Sequence, residues 1–405
     1  MKILFLSAWF PYPPDNGSRI RIYNLIKALS AKHKIYLMSL MQEDSNPDNV
    51  AYLTDICEVV SLHKSRWFKP GTLKSFLGFF SSRPRSCVDT FDPKIKSAVE
   101  DAIVQISPNI VIAATTGIVE YIPDKLTVPS LLDEHNCEYS VLMRSAKSIQ
   151  GRIKRLRYDL GWKKFARWEA KVCRRFSTIT MVSDEDKRQI LNAAPDLARV
   201  EVISNGVDIE HYQPASRNPR AYTLLYNGAL TYGANLDAVR FYASEIYPIL
   251  AHKVPSVKLR VTGRTEGVDL DGIADCPGIE LTGYVDDIRT ELNTAAACIV
   301  PLRIGGGSRL KILEAMAAGV PVISTTMGIE GINAVHGEHA MIVDAPSEIA
   351  DAIEKVLKNP DIVLKLNQNA RLLVEEQYSW QAIGEGFVSI VEQIAHDKHL
   401  AIAHD

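Results

Sequence analysis

The stretch CIVPLRIGGGSRLKILEAMAAGVPVIST, residues 298–325, holds the residue types best able to do chemistry in this chain. An apolar run reads as a buried strand, and three successive glycines, Gly305, Gly306 and Gly307, then lead to Ser308, where a helix is expected to start. Glycines let the backbone approach a ligand closely, and the free amides of a helix N-terminus favour an anion. Arg309 and Lys311 stand beside those amides and add positive charge suited to a diphosphate. Glu314 follows about two turns along, where its carboxylate can accept hydrogen bonds from the hydroxyls of a ribose. The same string also suits an ordinary strand–loop–helix crossover with a surface Arg, Lys and Glu, and a glycine triplet alone does not decide between the two.

The surrounding pattern supplies the scaffold. In the first half KILFLS, IYLMSL, EVVSL, NIVIAAT, SLLDEH, TITMVS and RVEVISN read as buried strands, with amphipathic stretches such as SRIRIYNLIKALSAK and KIKSAVEDAIVQI between them. Alternation of this kind predicts a parallel, doubly wound α/β sheet. The pattern lapses at residues 205–220, NGVDIEHYQPASRNPR, which read as a linker, and resumes with TLLYNG, KLRVTG, IELTGYV, CIVPL, PVIST and HAMIVDA. ANLDAVRFYASEIYPIL reads as a single helix, and the last helix, within SWQAIGEGFVSIVEQIAHDK, is expected to return to the first domain. Open α/β sheets bind ligands at the carboxyl ends of their strands, so two such domains imply an interdomain cleft.

Composition sets the outer bounds. A chain of 405 residues with 46% hydrophobic and 23% charged residues suits two folded domains. MKILFLSAWFPYPP reads as a strand entering a proline-rich loop rather than a signal peptide, because its apolar run is short and lacks a small-residue cleavage site. No uncharged apolar run is long enough to span a membrane, and the six cysteines show no paired spacing, which fits a reducing cytoplasm. The net charge of −2 conceals an imbalance: +6 up to Tyr212 and −8 beyond it. Residues 151–176, GRIKRLRYDLGWKKFARWEAKVCRRF, hold ten basic and two acidic residues, and residues 66–85, RWFKPGTLKSFLGFFSSRPR, mix basic and aromatic side chains again. These patches read either as solvated faces or as a surface for anionic lipid headgroups or a phosphorylated acceptor. No nucleic-acid recognition motif accompanies them, so nucleic acid is not an expected partner.

The string PLRIGGGSRLKILEAMAAGVPVIST closely resembles the nucleotide-sugar signature of glycosyltransferase family 4, a group of GT-B enzymes. The resemblance extends in order through PDNGSRIRIYNLIKAL, VPSLLDEHN, TITMVSDEDKRQI, VISNGVDIEHYQP, LTGYVDD and a terminal YSW. It implies a GT-B fold of two Rossmann-like domains: residues 1–205, joined by the C-terminal helix of about 381–405, for the acceptor, and residues 206–380 for the nucleotide sugar. It assigns Glu314 to the ribose, and Gly305, Gly306, Gly307, Ser308, Arg309 and Lys311 to the phosphates and sugar. By the same resemblance Asn16, Gly17 and Ser18 reach the donor phosphates or the acceptor; a glycine opening a helix supports this, although Asn16 can equally be a simple cap. His135 matches a position near the transferred sugar, though a histidine after a buried strand can also be a packing residue. Asp133 and Glu134 on the same strand end can bind acceptor or sugar hydroxyls.

Two departures stand out. The position eight residues before Glu314, often a second glutamate in the family, is Gly306. The first loop of the second domain, YNGALTYGANLDA, lacks the arginine and lysine that many members use on the diphosphate. A leaving diphosphate still needs countercharge. Arg309, Lys311, Arg264 and Arg303 are the cations placed to give it, and Arg303 can also contact the acceptor or the sugar. No metal-ligand cluster is evident, Asp286 and Asp287 read as a helix start, and no cofactor is expected. The expected activity is retaining transfer of a hexose from a UDP or GDP sugar to a carbohydrate or lipid-linked acceptor. The alternatives are another GT-B activity such as a sugar epimerase, or a nucleotide-sugar binder without turnover. The segment after the first strand lacks G-x-G-x-x-G spacing, which argues against a dinucleotide oxidoreductase.

Overall fold

A computed structural model describes residues 1–147, 151–214, 218–305 and 309–402. The chain divides into two compact units, Met1–Ser204 with the segment from Ile383 onward, and Asn205–Ala382.

The first unit is a seven-stranded sheet of β1 (Lys2–Ser7), β2 (Lys34–Met41), β3 (Glu58–Lys64), β4 (Ile110–Ala114), β5 (Ser130–Asp133), β6 (Thr178–Met181) and β7 (Val200–Val202). The order is β3-β2-β1-β4-β5-β6-β7, and every pair is parallel. Strands covered by helices on both faces must be apolar nearly throughout, and β1 and β4 are buried from Ile3 to Ser7 and from Ile110 to Ala114. Strand order reverses between β1 and β4, so the crevice of this sheet opens at their carboxyl ends.

The second unit repeats the plan with β8 (Thr223–Asn227), β9 (Lys258–Thr262), β10 (Ile279–Gly283), β11 (Ala297–Val300), β12 (Val322–Ser324) and β13 (Met341–Ile342), in the order β10-β9-β8-β11-β12-β13. All of these pairs are parallel, and the reversal falls between β8 and β11. The six-strand and seven-strand sheets therefore each place their crevice beside the first strand of the unit.

Three local features differ from the sequence reading. The expected helix of ANLDAVRFYASEIYPIL is broken into Gly233–Phe241, a π-helical turn Tyr242–Ile246 and Tyr247–Lys253. Pro248 carries no amide hydrogen, and the wide turn just before it absorbs the lost hydrogen bond. The helix after the glycines begins at Leu310 with Arg309 as its cap residue. Gly306, Gly307 and Ser308 lie outside the described residues. Part of the expected linker is structured: Val207 bridges to Ser379, and Arg371 donates to the carbonyls of Ile209 (3.1 Å) and Tyr212 (3.1 Å). The final helix, Trp380–Ile402, packs on the first unit, with Gly384 against Ala28 and Gln393 bonded to Arg199 at 2.6 Å.

Candidate active site

In the second unit the crevice is built from the end of β8, the loop after it and the helix Leu310–Ala317. Asn227 closes β8 and Gly228 turns the chain away, its amide donating to the Thr262 carbonyl at 3.1 Å. A β-carbon on Gly228 would lie 2.6 Å from Nζ of Lys311, so a larger residue there would push that ammonium from its place. Lys311 thus reaches from its helix into the loop that carries no cation of its own. It donates to Asn235 Oδ1 at 3.0 Å and to the Tyr226 hydroxyl at 3.3 Å, and lies 4.3 Å over the Tyr226 ring. All three are neutral contacts, and among the described residues Lys311 has no ion pair. Its pKa falls to about 7, chiefly through burial; the Arg309 charge also lowers it, while Cys298 and Glu314 act the other way.

One turn on, Glu314 Oε2 accepts from Asn227 Nδ2 at 3.3 Å, and the Tyr212 hydroxyl also bonds to its carboxylate. Burial raises the Glu314 carboxyl, and these two bonds and the nearby Lys311 oppose the rise. Arg309 is buried, with its guanidinium folded against Gly305, whose φ is 127°. A β-carbon there would sit 2.9 Å from Arg309 Nη2. Arg264 is exposed beside the Tyr284 ring at 5.7 Å, and its carbonyl accepts the Leu230 amide at 2.9 Å. Arg303 is held differently: its guanidinium grips Asp237 at 2.8 and 3.1 Å and Glu245 at 3.2 Å. With two carboxylates already on it, Arg303, expected as a countercharge or as an acceptor or sugar contact, is here tied to the helix Gly233–Phe241.

In the first unit the crevice lies at the ends of β1, β4 and β5 and the start of the helix Gly17–Ser30. Asn16 caps that helix, its Oδ1 accepting from the Arg19 amide at 3.2 Å, and Gly17 is exposed at its first turn. Ser18 Oγ lies 3.2 Å from His135 Nδ1, so the two candidate segments meet. A cavity of about 390 Å³ opens over them, lined among others by Trp9, Ser18, Thr116, Gly117, His135 and Asn136. Gly117 permits the close approach of the β1 and β4 ends, since a β-carbon would fall 2.9 Å from the Ala8 side chain. Thr115, two residues before it, holds a left-handed φ of 70° and donates its amide to the Asp133 carbonyl at 2.8 Å.

Asp133 and Glu134 do not face the cavity as ligands. Asp133 is fully buried and takes Arg21 Nε at 2.9 Å, Arg21 Nη2 at 2.6 Å and Thr180 Oγ1 at 2.8 Å. Burial alone would raise its carboxyl, but the Arg21 guanidinium overrides this and holds it well below the usual range. Its Oδ2 also lies 3.5 Å from His135 Nε2 and so steadies the ring. Burial lowers the His135 pKa despite that carboxylate, which keeps the imidazole neutral near neutral pH. Glu134 accepts the Thr116 amide on Oε2 at 3.2 Å, while its buried Oε1 has no hydrogen-bond partner among the described residues. Burial, then the Glu169 and Glu138 carboxylates, push its pKa well up. Both acidic residues, expected as acceptor or sugar contacts, are here inner supports of the crevice.

Sequence reasoning missed Asn227, Gly228, Asn235 and Tyr212. Asn227 and Gly228 had a signal, since they end the first strand of the second sheet at its switch point. Tyr212 had none, standing in a segment that reads as linker. Among the described residues, no group of three or more His, Cys, Asp or Glu is arranged to hold a metal ion.

Comparison with known proteins gives these crevices a family. Residues 15–211 match the model of Glycosyltransferase Family 4, and residues 221–359 that of Glycosyl transferases group 1. An uncharacterized 44.6 kDa protein in the cps region of Klebsiella pneumoniae is 22% identical over 400 residues, covering 93% of this chain and 96% of that protein. The GDP-mannose-dependent alpha-(1-6)-phosphatidylinositol monomannoside mannosyltransferase of Mycobacterium tuberculosis is 26% identical over 234 residues, 51% of this chain and 59% of that protein. Among solved structures, Anabaena HepE in complex with UDP and glucose superposes with a TM-score of 0.65 at 15% identity, covering 97% of this chain and 100% of HepE. With both halves matched in order and both sheets doubly wound, the chain belongs to glycosyltransferase family 4 of the group 1 glycosyltransferases and has the GT-B fold.

Proposed function

We propose that this glycosyltransferase moves a hexose from a UDP or GDP sugar to an acceptor hydroxyl with retention of anomeric configuration. In this reading Asn205–Ala382 is the donor unit and Met1–Ser204 the acceptor unit. The observation that carries it is Lys311, lodged under the β8 loop on neutral partners beside the carboxylate of Glu314. A nucleoside diphosphate would place its ribose hydroxyls on Glu314 and its phosphates on Lys311 and Arg309, with Arg264 and the Gly305 turn completing the cradle. HepE, a structural relative, is seen with UDP and glucose, which supports a sugar nucleotide as donor.

In the reaction the bond from the anomeric carbon to the phosphate oxygen breaks, and the acceptor oxygen bonds to the same face. The acceptor proton passes to the departing phosphate, and the cations stabilise the charge left on the diphosphate. His135, neutral and held on Nε2 by Asp133, would exchange the Ser18 hydroxyl on Nδ1 for a sugar hydroxyl during transfer. The acceptor is a carbohydrate or lipid-linked sugar met at the cytoplasmic face of an anionic membrane. The mycobacterial relative named for a phosphatidylinositol acceptor supports a lipid-linked one.

A thermal-shift panel of UDP, GDP, ADP and TDP with their sugar conjugates tests the donor assignment. One nucleotide family should stabilise the wild type and lose most of that effect in Glu314→Gln. Absence of any shift in the wild type would contradict it.

A further inference from the structure

Eleven of the 22 exposed large hydrophobic side chains among the described residues fall in two short segments of the first unit. One runs from Trp67 to Phe80, where Leu73 is 75% exposed, Phe76 56% and Phe80 81%. The other opens the helix Arg152–Cys173, whose residues from Arg152 to Tyr158 are exposed on every side. Along that helix Ile153, Leu156 and Leu160 share one stripe, with Arg152, Lys154, Arg155 and Arg157 around it. A helix end with no protein partner gains nothing from an apolar stripe unless something else covers it.

The two segments are one surface. Lys164 Nζ donates to the Gly78 carbonyl at 2.7 Å, and Phe79 and Leu160 both line a groove of about 780 Å³. The groove walls are basic. Arg83 is paired with Glu120 and Arg175 with Asp124, whereas Lys96, Arg167 and Lys171 have no ion pair among the described residues. Every charge in residues 66–85 is positive.

We infer that this groove receives the phosphate headgroup of an anionic phospholipid, through Lys96, Arg167 and Lys171, while Leu73, Phe76, Phe80, Leu156 and Leu160 enter the lipid interface. The inference rests on the membrane-surface reading above and assigns it a site. Charge complementarity selects the occupant: projecting apolar side chains interleaved with cations match an anionic bilayer surface, where acyl chains and phosphates lie within the same few ångströms. The groove is lined by residues of the first unit alone and shares none with the Lys311 site.

The test is co-sedimentation of the full chain with phosphatidylcholine vesicles, with and without phosphatidylglycerol, at low salt. Wild type should bind only the anionic vesicles, and added salt should release it. The triple variant Lys96→Gln/Arg167→Gln/Lys171→Gln should lose roughly tenfold or more of that partitioning. Leu73→Ser/Phe76→Ser/Phe80→Ser should lose it too. Both variants should keep the wild-type thermal shift with UDP or GDP, so a failure here is separable from failure of the glycosyltransferase reading. If the triple variant binds like wild type while the apolar variant does not, the groove assignment falls and the membrane reading stands. Wild type that ignores anionic vesicles overturns both. Inorganic phosphate or an acidic peptide that binds the groove while vesicles do not also overturns the lipid assignment.

Discussion

The two crevices use buried cations in opposite ways. In the first unit Arg21 is paired in full, with two bonds to Asp133 at 2.6 and 2.9 Å and a third to the Ser204 carbonyl at 3.0 Å. In the second, Lys311 is held by an amide oxygen and a phenol, and among the described residues no bonded partner neutralises its charge. A cation already bound to a buried carboxylate is scaffold. A cation seated on neutral groups in a cleft can meet an incoming anion without first breaking an ion pair, and its lowered pKa records that unmet demand.

Breaking the scaffold pair should have the largest effect. Arg21→Ala leaves the Asp133 carboxylate buried and unpaired, and should cost about 3–5 kcal/mol in urea denaturation. The double variant Arg21→Met/Asp133→Leu should recover a good part of that loss. Next in size is the His135→Asn variant, expected to lower kcat about a hundredfold while leaving nucleotide affinity near wild type, as steady-state kinetics and calorimetry would show. Equal losses in both would place His135 in donor binding instead.

A smaller effect sharpens the contrast through pH. Free Lys311 titrates near 7, and a bound diphosphate should keep it protonated, so above that pH binding must take up a proton. Affinity for UDP or GDP should therefore fall as pH rises above 7, by at most about tenfold per unit. A Lys311→Met variant should show a flat profile there. The smallest effect concerns Glu134, whose pKa is raised by burial and by Glu169 and Glu138. A raised carboxyl gives stability that is complete below its unfolded value and is lost as pH rises through the folded one. Thermal melts from acid to neutral pH should show this decline in wild type and a weaker decline in Glu134→Gln.

Most of the scaffold was legible in the sequence, because buried parallel strands must be apolar along their length, and runs such as KILFLS and CIVPL declare that directly. Glu314, Lys311 and Ser18 could be singled out because they sit within residues of a strand end or a helix start. What could not be read was any reach across elements. The loop YNGALTYGANLDA looks short of charge until Lys311 is seen filling the space that Gly228 leaves. Arg19 and Arg21 look like the solvent face of SRIRIYNLIKAL, yet both are buried, because carboxylates distant in sequence, Asp44 and Asp133, come to meet them. Asp133 looked like a ligand for the same reason, since its partner lies more than a hundred residues away.

Whether Lys311 is the donor-phosphate cation can be read from titration calorimetry of the nucleoside mono- and diphosphates against wild type and Lys311→Met. Wild type should prefer the diphosphate, and the variant, folded by its melting curve, should bind the monophosphate as before but lose the preference. A folded Lys311→Met variant that still prefers the diphosphate as strongly as wild type would contradict it.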